Sequence, residues 1–174
     1  MRVPLSWLKE FVDIEISVNE LADKLVSCGF EIEEIINMRD TIKNVVVGKI
    51  IDMQKHANSD HLSICVLDIG EKKVQIVTGA NNVKVGDFVP VALDNAVVFD
   101  GKVIKTGELR GVISEGMLCS GAELNLIEED YKGAGVNGIL ILQDNPKLGQ
   151  DINDIIGNTE IVLDVAITAN RPDC

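Results

Sequence analysis

Between residues 45 and 142 the chain consists of short runs rich in β-branched residues, separated by turn residues. The runs cover 45–53, 62–69, 72–77, 88–93 and 139–142. Five or more short strands within about 100 residues are typical of a small β-barrel. No apolar run reaches the roughly 18 residues that a membrane span requires, so we expect no membrane partner.

Turn residues predict how some of these runs are joined. The segment from Asp68 to Lys72 links two runs so closely that it predicts a hairpin. The segment 79–82, Gly-Ala-Asn-Asn, predicts a turn with a positive φ angle.

The residues before this block predict two helices and a strand. Apolar residues at positions 5, 8, 11 and 12 fall on roughly one helix face. Ser17 and Glu20 have the spacing of a capping box, which predicts the start of a second helix, and Gly29 is suited to end it. The alternating residues 30–36 then predict a half-buried strand.

Similar elements return after the block. Residues 151–156 predict a helical turn closed by Gly157, and residues 161–167 predict a strand. Helical pieces on both sides of an all-β block indicate one domain inserted into another. The sequence therefore predicts an α+β protein. A five-stranded β-barrel over 39–148 is inserted into a small α/β host domain of residues 1–39 and 151–174, which we expect to be truncated at its C-terminus.

The charge distribution follows the same division. The whole chain has 16 Lys and Arg against 28 Asp and Glu, a net charge of −12. Residues 39–148 hold 12 basic and 15 acidic side chains, which gives −3, and the flanks hold the remaining 4 and 13, which gives −9. Strong binding of nucleic acid through bulk positive charge is therefore excluded, because phosphate neutralisation needs clustered Lys and Arg.

The cysteines and histidines do not form a metal motif. Cys28, Cys65, Cys119 and Cys174 include no C-x-x-C pair, and we expect reduced thiols in a cytoplasmic protein. The two histidines lie within the six residues 56–61, with no Cys or third His nearby, so we expect no metal site. A phosphate-binding P-loop motif is also absent from the sequence.

Four linked blocks carry the most specific signal in the chain. They are 56–62 (His-Ala-Asn-Ser-Asp-His-Leu), 75–82 (Gln-Ile-Val-Thr-Gly-Ala-Asn-Asn), 86–93 (Gly-Asp-Phe-Val-Pro-Val-Ala-Leu) and 105–124, which begins Lys-Thr-Gly-Glu-Leu-Arg-Gly. In this order and at these gaps they resemble the tRNA-binding OB-fold, over about residues 39–148. The first block departs from the commoner Ala-Asp-Lys-Leu pattern, because His61 stands where Lys is usual and Ser59 where Ala is usual.

Both flanks extend the resemblance to the whole chain. Residues 1–13 (Met-Arg-Val-Pro-Leu-Ser-Trp-Leu-Lys-Glu-Phe-Val-Asp) and 164–174 (Asp-Val-Ala-Ile-Thr-Ala-Asn-Arg-Pro-Asp-Cys) are similar to segments of the β subunit of bacterial phenylalanyl-tRNA synthetases. The resemblance implies a non-catalytic scaffold and accessory tRNA-binding module of a ligase that joins phenylalanine to tRNA. It implies ATP and magnesium for the full enzyme, no cofactor in this part, and an α-subunit partner in an α2β2 heterotetramer. No DNA partner is expected.

Candidate RNA contacts are cations, polar side chains and one methionine in the β block. Cations and hydroxyls can bind phosphate, and Met can pack on a base or sugar. With few aromatic residues, recognition is expected to use backbone and shape rather than stacked bases. We expect no catalytic residue here, and the candidate tRNA-binding residues are Lys49, Lys55, Asn58, Lys102, Lys105, Arg110, Ser114, Met117 and Ser120.

Two other functions remain open from the sequence alone. One is a stand-alone, structure-selective tRNA-binding OB protein, against which the capped N-terminal segment argues. The other is a purely structural barrel that binds protein. A solvated strand face also accounts for Lys102 and Lys105, and turn chemistry or core filling accounts for Met117.

Overall fold

The computed structural model describes residues 1–169. The chain is mostly β-sheet with three short α-helices in this range. In chain order the elements are β1 (Arg2–Pro4), α1 (Leu5–Lys9), α2 (Val18–Ser27), β2 (Glu31–Asn37), β3 (Lys43–Lys55), β4 (Ser63–Asp68), β5 (Lys73–Thr78), β6 (Phe88–Val97), β7 (Val103–Ile104), β8 (Gly107–Leu109), β9 (Val112–Ser114), β10 (Gly116–Leu118), α3 (Ile152–Ile156) and β11 (Ile161–Ala166).

The chain divides into two compact units. The first contains Met1–Asp40 and continues from Asn158, and the second is Thr41–Gly157. Residues 170–174, which the sequence assigns to the host domain, lie outside the described residues. No helix among residues 1–169 is long and apolar enough to cross a membrane.

The first unit is organised around an antiparallel sheet of three strands. Its order is β1-β11-β2, so the central strand comes from the far end of the sequence. On β11, Leu163 is fully buried, and the Asp164 carboxylate accepts hydrogen bonds from the N-terminal ammonium and from Arg2, each at 3.3 Å. The strands predicted over 30–36 and 161–167 are confirmed.

The helices of the first unit are shorter than the apolar pattern suggests. Helix α1 ends at Lys9, which leaves Phe11 and Val12 largely exposed beyond it. Helix α2 has the predicted capping box: the Ser17 hydroxyl accepts from the Glu20 amide, and the Glu20 carboxylate accepts from the Ser17 amide. These hydrogen bonds from Ser17 hold the pKa of Glu20 below its usual value.

The second unit is a curled antiparallel sheet. Its main order is β10-β6-β3-β4-β5, and β7 pairs with the end of β6. Strand β10 also contacts β5, which brings the two ends of the order together. The hairpin β8–β9 forms a separate two-stranded sheet. The hairpin predicted at Asp68–Lys72 is confirmed as the β4–β5 connection, where Gly70 has a φ of 89°.

Strand β3 is the centre of this sheet, because it pairs with β6 on one side and β4 on the other. Its residues Val45 and Val47 point into one apolar cluster and Ile50 into a second. A bulge between Ile50 and Asp52 then changes the register against β4. Such bulges bend a strand and increase its twist, as a curled sheet requires.

The sheet has six strands, so the prediction of five is not confirmed. Residues 139–142 were predicted as a strand but form an irregular segment. Its backbone bonds go to two different partners, because the Leu140 amide donates to Cys119 and the Leu142 amide donates to Phe88. The three-residue strand β10 instead takes the place beside β6. A strand of three residues is too short to show a periodic pattern in the sequence.

The prediction of a positive φ angle in a turn at 79–82 is wrong, because none of these four residues has a positive φ angle. The Asn82 side chain instead forms two hydrogen bonds to the irregular segment 139–142. Its side-chain amide donates to the Ile139 carbonyl at 2.8 Å and accepts from the Ile139 amide at 3.0 Å. This pair of bonds satisfies backbone groups that a neighbouring strand would otherwise satisfy.

The helical turn predicted over 151–156 is present as α3 and is closed by Gly157 with a φ of 72°. It packs in the second unit, whereas the sequence assigned residues 151–157 to the host. Ile152 is fully buried in the apolar cluster around β3, and the Asn153 side chain donates to the Ile42 carbonyl at 3.0 Å. Burial of Ile152 therefore joins α3 to the sheet.

We expect Gly116→Ala to destabilise the second unit. A Cβ at this position would overlap the Ala92 carbonyl oxygen on β6, so the β6–β10 pair would have to separate. The expected loss is about 1–3 kcal/mol of unfolding free energy, the usual range for overpacking. Urea denaturation measures it, and Gly79→Ala is the matched control, because a Cβ there has neighbours no closer than 3.7 Å. Equal stability of the two variants would contradict this account.

We expect thiol-specific alkylation of the native chain to label Cys28 and spare Cys65 and Cys119. Cys28 is exposed, whereas the other two are fully buried. Burial raises the pKa of Cys65 and raises that of Cys119 to about 12, so neither forms the reactive thiolate at neutral pH. Peptide mass spectrometry after iodoacetamide treatment measures the labelling, and urea-unfolded protein serves as the control. Rapid native labelling of Cys119 would contradict its burial.

Candidate functional site

A pocket of about 310 Å³ gathers several of the predicted residues on the second unit. Lys102 and Lys105 supply its positive charge, and both side chains are exposed. Met117 and Ser114 also line it. The other lining residues are Val77, Val103, Ile104, Gly107, Glu108, Leu109 and Gly116. The pocket therefore combines an apolar surface with two exposed cations and one carboxylate.

Arg110 lies at the tip of the β8–β9 hairpin, beside this pocket. Arg110 and Gly111 have φ angles of 50° and 88°, the pattern of a type I′ turn. Gly adopts this conformation without strain, but Arg does so rarely. The turn places an exposed guanidinium one residue beyond Leu109, which lines the pocket.

The hairpin tip is hydrogen-bonded to the 56–62 loop. The Arg110 guanidinium donates to the Asn58 carbonyl oxygen at 3.1 Å. The imidazole of His56 bonds to the Leu109 carbonyl oxygen at 3.2 Å and to the Asn58 amide at 3.1 Å. The structure therefore brings Asn58 and Arg110 together. Lys55 is exposed at the end of β3, immediately before His56.

The base of the hairpin is attached to β5. The Gln75 side chain donates to the Ile113 carbonyl at 2.9 Å, and the backbones of Gln75 and Glu115 bond at 2.8 Å. Ser114 is buried here, and its hydroxyl accepts from the Val77 amide and donates to the Gly116 carbonyl. Both bonds are internal, so this hydroxyl helps to build the pocket wall.

The turn that carries Lys105 is held by a carboxylate on β6. Asp94 accepts a hydrogen bond of 2.7 Å from the Thr106 amide. This bond lowers the pKa of Asp94, and the charge of Lys105 contributes to the same shift. The carboxylate therefore stays ionised at neutral pH and fixes the segment that enters β8.

Two predicted residues lie outside this pocket. The ammonium of Lys49 sits 5.1 Å from the centre of the Phe88 ring, in cation–π geometry. The hydroxyl and amide of Ser120 both donate to the Glu123 carboxylate. Neither residue lines the pocket around Lys102 and Lys105.

Sequence reasoning missed the residues that hold the site in place. His56 and Gln75 enter the sequence argument only as members of the blocks 56–62 and 75–82, with His56 also rejected as a metal ligand, and Asp94 is not singled out. A residue that accepts hydrogen bonds from a turn leaves a weak signal in one sequence. Within residues 1–169, no three or more His, Cys, Asp or Glu side chains form a group that could hold a metal ion.

Comparison with known proteins identifies the family of this chain. Residues 45–150 match the family model described as "Putative tRNA binding domain". The chain is 45 % identical over its full length to the phenylalanine–tRNA ligase beta subunit of Clostridium acetobutylicum and 46 % identical to that of Clostridium tetani. It spans 22 % of the length of each of these relatives.

One solved structure aligns with most of this chain at low similarity. It is titled "Crystal structure of MetRS related protein from Pyrococcus horikoshii" and is 17 % identical, with a TM-score of 0.41 over 79 % of this chain and 96 % of that one. The family model covers more than half of the chain, and the curated relatives align with all of it. This chain therefore belongs to the tRNA-binding domain family and is similar throughout to the N-terminal part of phenylalanine–tRNA ligase beta subunits.

Proposed function

We propose that the chain is a non-catalytic tRNA-binding module of a phenylalanine–tRNA ligase. The pocket with Lys102 and Lys105, next to the Arg110 turn, carries this proposal. It lies within the residues that match the tRNA-binding family, and neither Lys102 nor Lys105 forms a salt bridge within residues 1–169.

The pocket has suitable chemistry for a sugar–phosphate segment. Lysine and arginine side chains bind phosphate oxygens, and an arginine can do so with two parallel hydrogen bonds. The apolar surfaces of Val103, Leu109 and Met117 can pack against a ribose or base edge. Because these contacts read backbone and shape, they fit recognition of folded tRNA rather than of a base sequence.

The charge of the protein limits the strength of this binding. Residues 39–148 carry −3 and the whole chain −12, so there is no long-range attraction for RNA. Only the local cations oppose the repulsion, and their effect is screened within a Debye length of about 8 Å at physiological salt. We therefore propose modest, salt-dependent affinity.

We propose further that this module acts as a scaffold in a cytoplasmic ligase that joins phenylalanine to tRNA. ATP and magnesium would be bound by other parts of the full enzyme, and no cofactor is proposed for this part. The partner would be an α subunit, in an α2β2 assembly. The similarity to beta subunits over the full length supports this role and argues against a stand-alone tRNA-binding protein.

We also propose a fold assignment for the two units. The curled antiparallel sheet of the second unit supports an OB-fold domain, and the three-stranded sheet with α1 and α2 supports a small α/β host domain. The host is then formed by both ends of the sequence, as insertion of one domain in another requires. Lys49 and Ser120 stay proposed RNA contacts outside the main pocket.

The chain should bind tRNA weakly, and the joint variant Lys105→Ala with Arg110→Ala should weaken binding. Each phosphate contact makes the slope of log affinity against log salt steeper by about 0.7–0.9. Losing two such cations should therefore make the slope shallower by about 1–2. Fluorescence anisotropy with labelled tRNA at several salt concentrations measures both quantities.

The matched control for this experiment is the joint variant Lys72→Ala with Lys73→Ala, which also removes two positive charges. Both lysines are exposed, and neither lines the pocket. Their removal changes the net charge but should leave the affinity nearly unchanged. An equal effect of both sets of variants, or no binding by the unmodified chain at low salt, would contradict the proposed function and favour a structural barrel.

A full-length beta subunit containing this chain should copurify with an α subunit. Coexpression of the natural gene pair with a tag on the beta subunit tests the partnership, and size-exclusion chromatography with light scattering gives the stoichiometry. A tagged, unrelated barrel protein is the control for non-specific capture. Recovery of the beta subunit without an α subunit would contradict the proposed assembly.

A further inference from the structure

We propose that His56 is a positioning residue, which fixes the Arg110 turn for contact with tRNA by joining it to the 56–62 loop. This inference rests on the proposed function and adds a role that the candidate cations cannot perform. His56 is only 4 % exposed, so its ring is not available as an RNA contact itself.

The hydrogen bonds of His56 define a single neutral tautomer. The Leu109 carbonyl can only accept, so the bond at Nε2 requires a proton on that nitrogen. The Asn58 amide can only donate, so Nδ1 must be unprotonated and accept. One imidazole therefore satisfies a carbonyl of the hairpin and an amide of the loop at the same time.

This link matters because the hairpin does not pair with the main sheet along its length. Strands β8 and β9 pair with each other as a separate sheet. Gln75 and Ser114 attach the hairpin base to β5, whereas His56 and Arg110 attach its tip to the loop. Without the His56 bond, the one hydrogen bond left between the tip and the 56–62 loop among residues 1–169 would be the exposed bond of Arg110 to Asn58.

The same arrangement leaves Arg110 able to bind phosphate. A guanidinium has five N–H donors, and one of them is directed to the Asn58 carbonyl. That bond orients the side chain, and the remaining donors can form charge-assisted bonds to phosphate. His56 fixes the backbone of the turn and Asn58 fixes the guanidinium, so the cation is ordered before tRNA arrives.

Two amide substitutions separate the two bonds of His56. In His56→Gln the side-chain amide can reach the position of Nε2 and donate to Leu109. In His56→Asn the shorter amide can accept only from the Asn58 amide, near the position of Nδ1. We expect His56→Gln to bind tRNA within about twofold of the unmodified chain. We expect His56→Asn to bind about fivefold to tenfold more weakly, with the salt slope reduced by about 1.

A double-mutant cycle with Arg110→Ala distinguishes positioning from a general loss of structure. If His56 acts through Arg110, then His56→Asn should cause no further loss of affinity in the Arg110→Ala chain. If the affinity loss of the double variant is the product of the two single losses, the inference is overturned. Unchanged tRNA affinity of His56→Asn would also overturn it. Thermal melting of each full chain shows that it is folded at the assay temperature.

Hydrogen exchange provides a readout that does not depend on tRNA. Amides of residues 109–112 should exchange faster in His56→Asn than in His56→Gln, because the Leu109 carbonyl has lost its hydrogen bond to residue 56. Equal exchange in the two variants would overturn the positioning role even where His56→Asn weakens tRNA binding. If the unmodified chain binds no tRNA, the proposed function fails, and exchange still decides whether His56 fixes the turn.

Discussion

Side chains bonded to main-chain groups hold together the parts of the second unit that regular strand pairing leaves unattached. Asn82 replaces a strand partner for Ile139, and the Ser114 hydroxyl joins β5 to the first residue of β10. Asp94 bonds to the segment that enters the hairpin, and His56 bonds to a carbonyl at the hairpin tip. A small curled sheet has many irregular connections, and each buried backbone group needs a partner. The candidate site is built from these connections.

The sequence predicts regular elements well wherever a periodic pattern is long enough. Strand β3 covers 13 residues, and its run of β-branched residues marks it in the sequence. The capping box at Ser17 is equally visible, because two residue types at a fixed spacing perform one task. The three-residue strands β8, β9 and β10 are different, since the Gly-rich stretch around them has no readable period. Strand β10 pairs with β6 across more than 20 residues, and a single sequence does not contain that information.

The candidate site follows the same rule. Residue chemistry was enough to select Lys102, Lys105 and Met117, and the structure places them around one pocket. Chemistry alone could not separate them from Lys49, whose ammonium faces the Phe88 ring. Nor could it show that Ser114 uses its hydroxyl internally. The roles of all these residues in RNA binding stay predictions, because distance and hydrogen bonding describe where a side chain lies and not which ligand it meets.

Net charge explains why such positioning matters for this protein. A strongly basic module can gain affinity from many interchangeable, mobile lysines, because counterion release depends on charge more than on geometry. A module that carries −3 within a chain of −12 has few cations to use. Each contact must then be ordered beforehand, so that little conformational entropy is lost on binding. The turn at Arg110 meets that requirement. The Leu109 carbonyl beside it bonds to His56 and the Arg110 guanidinium bonds to Asn58, and neither partner adds net charge.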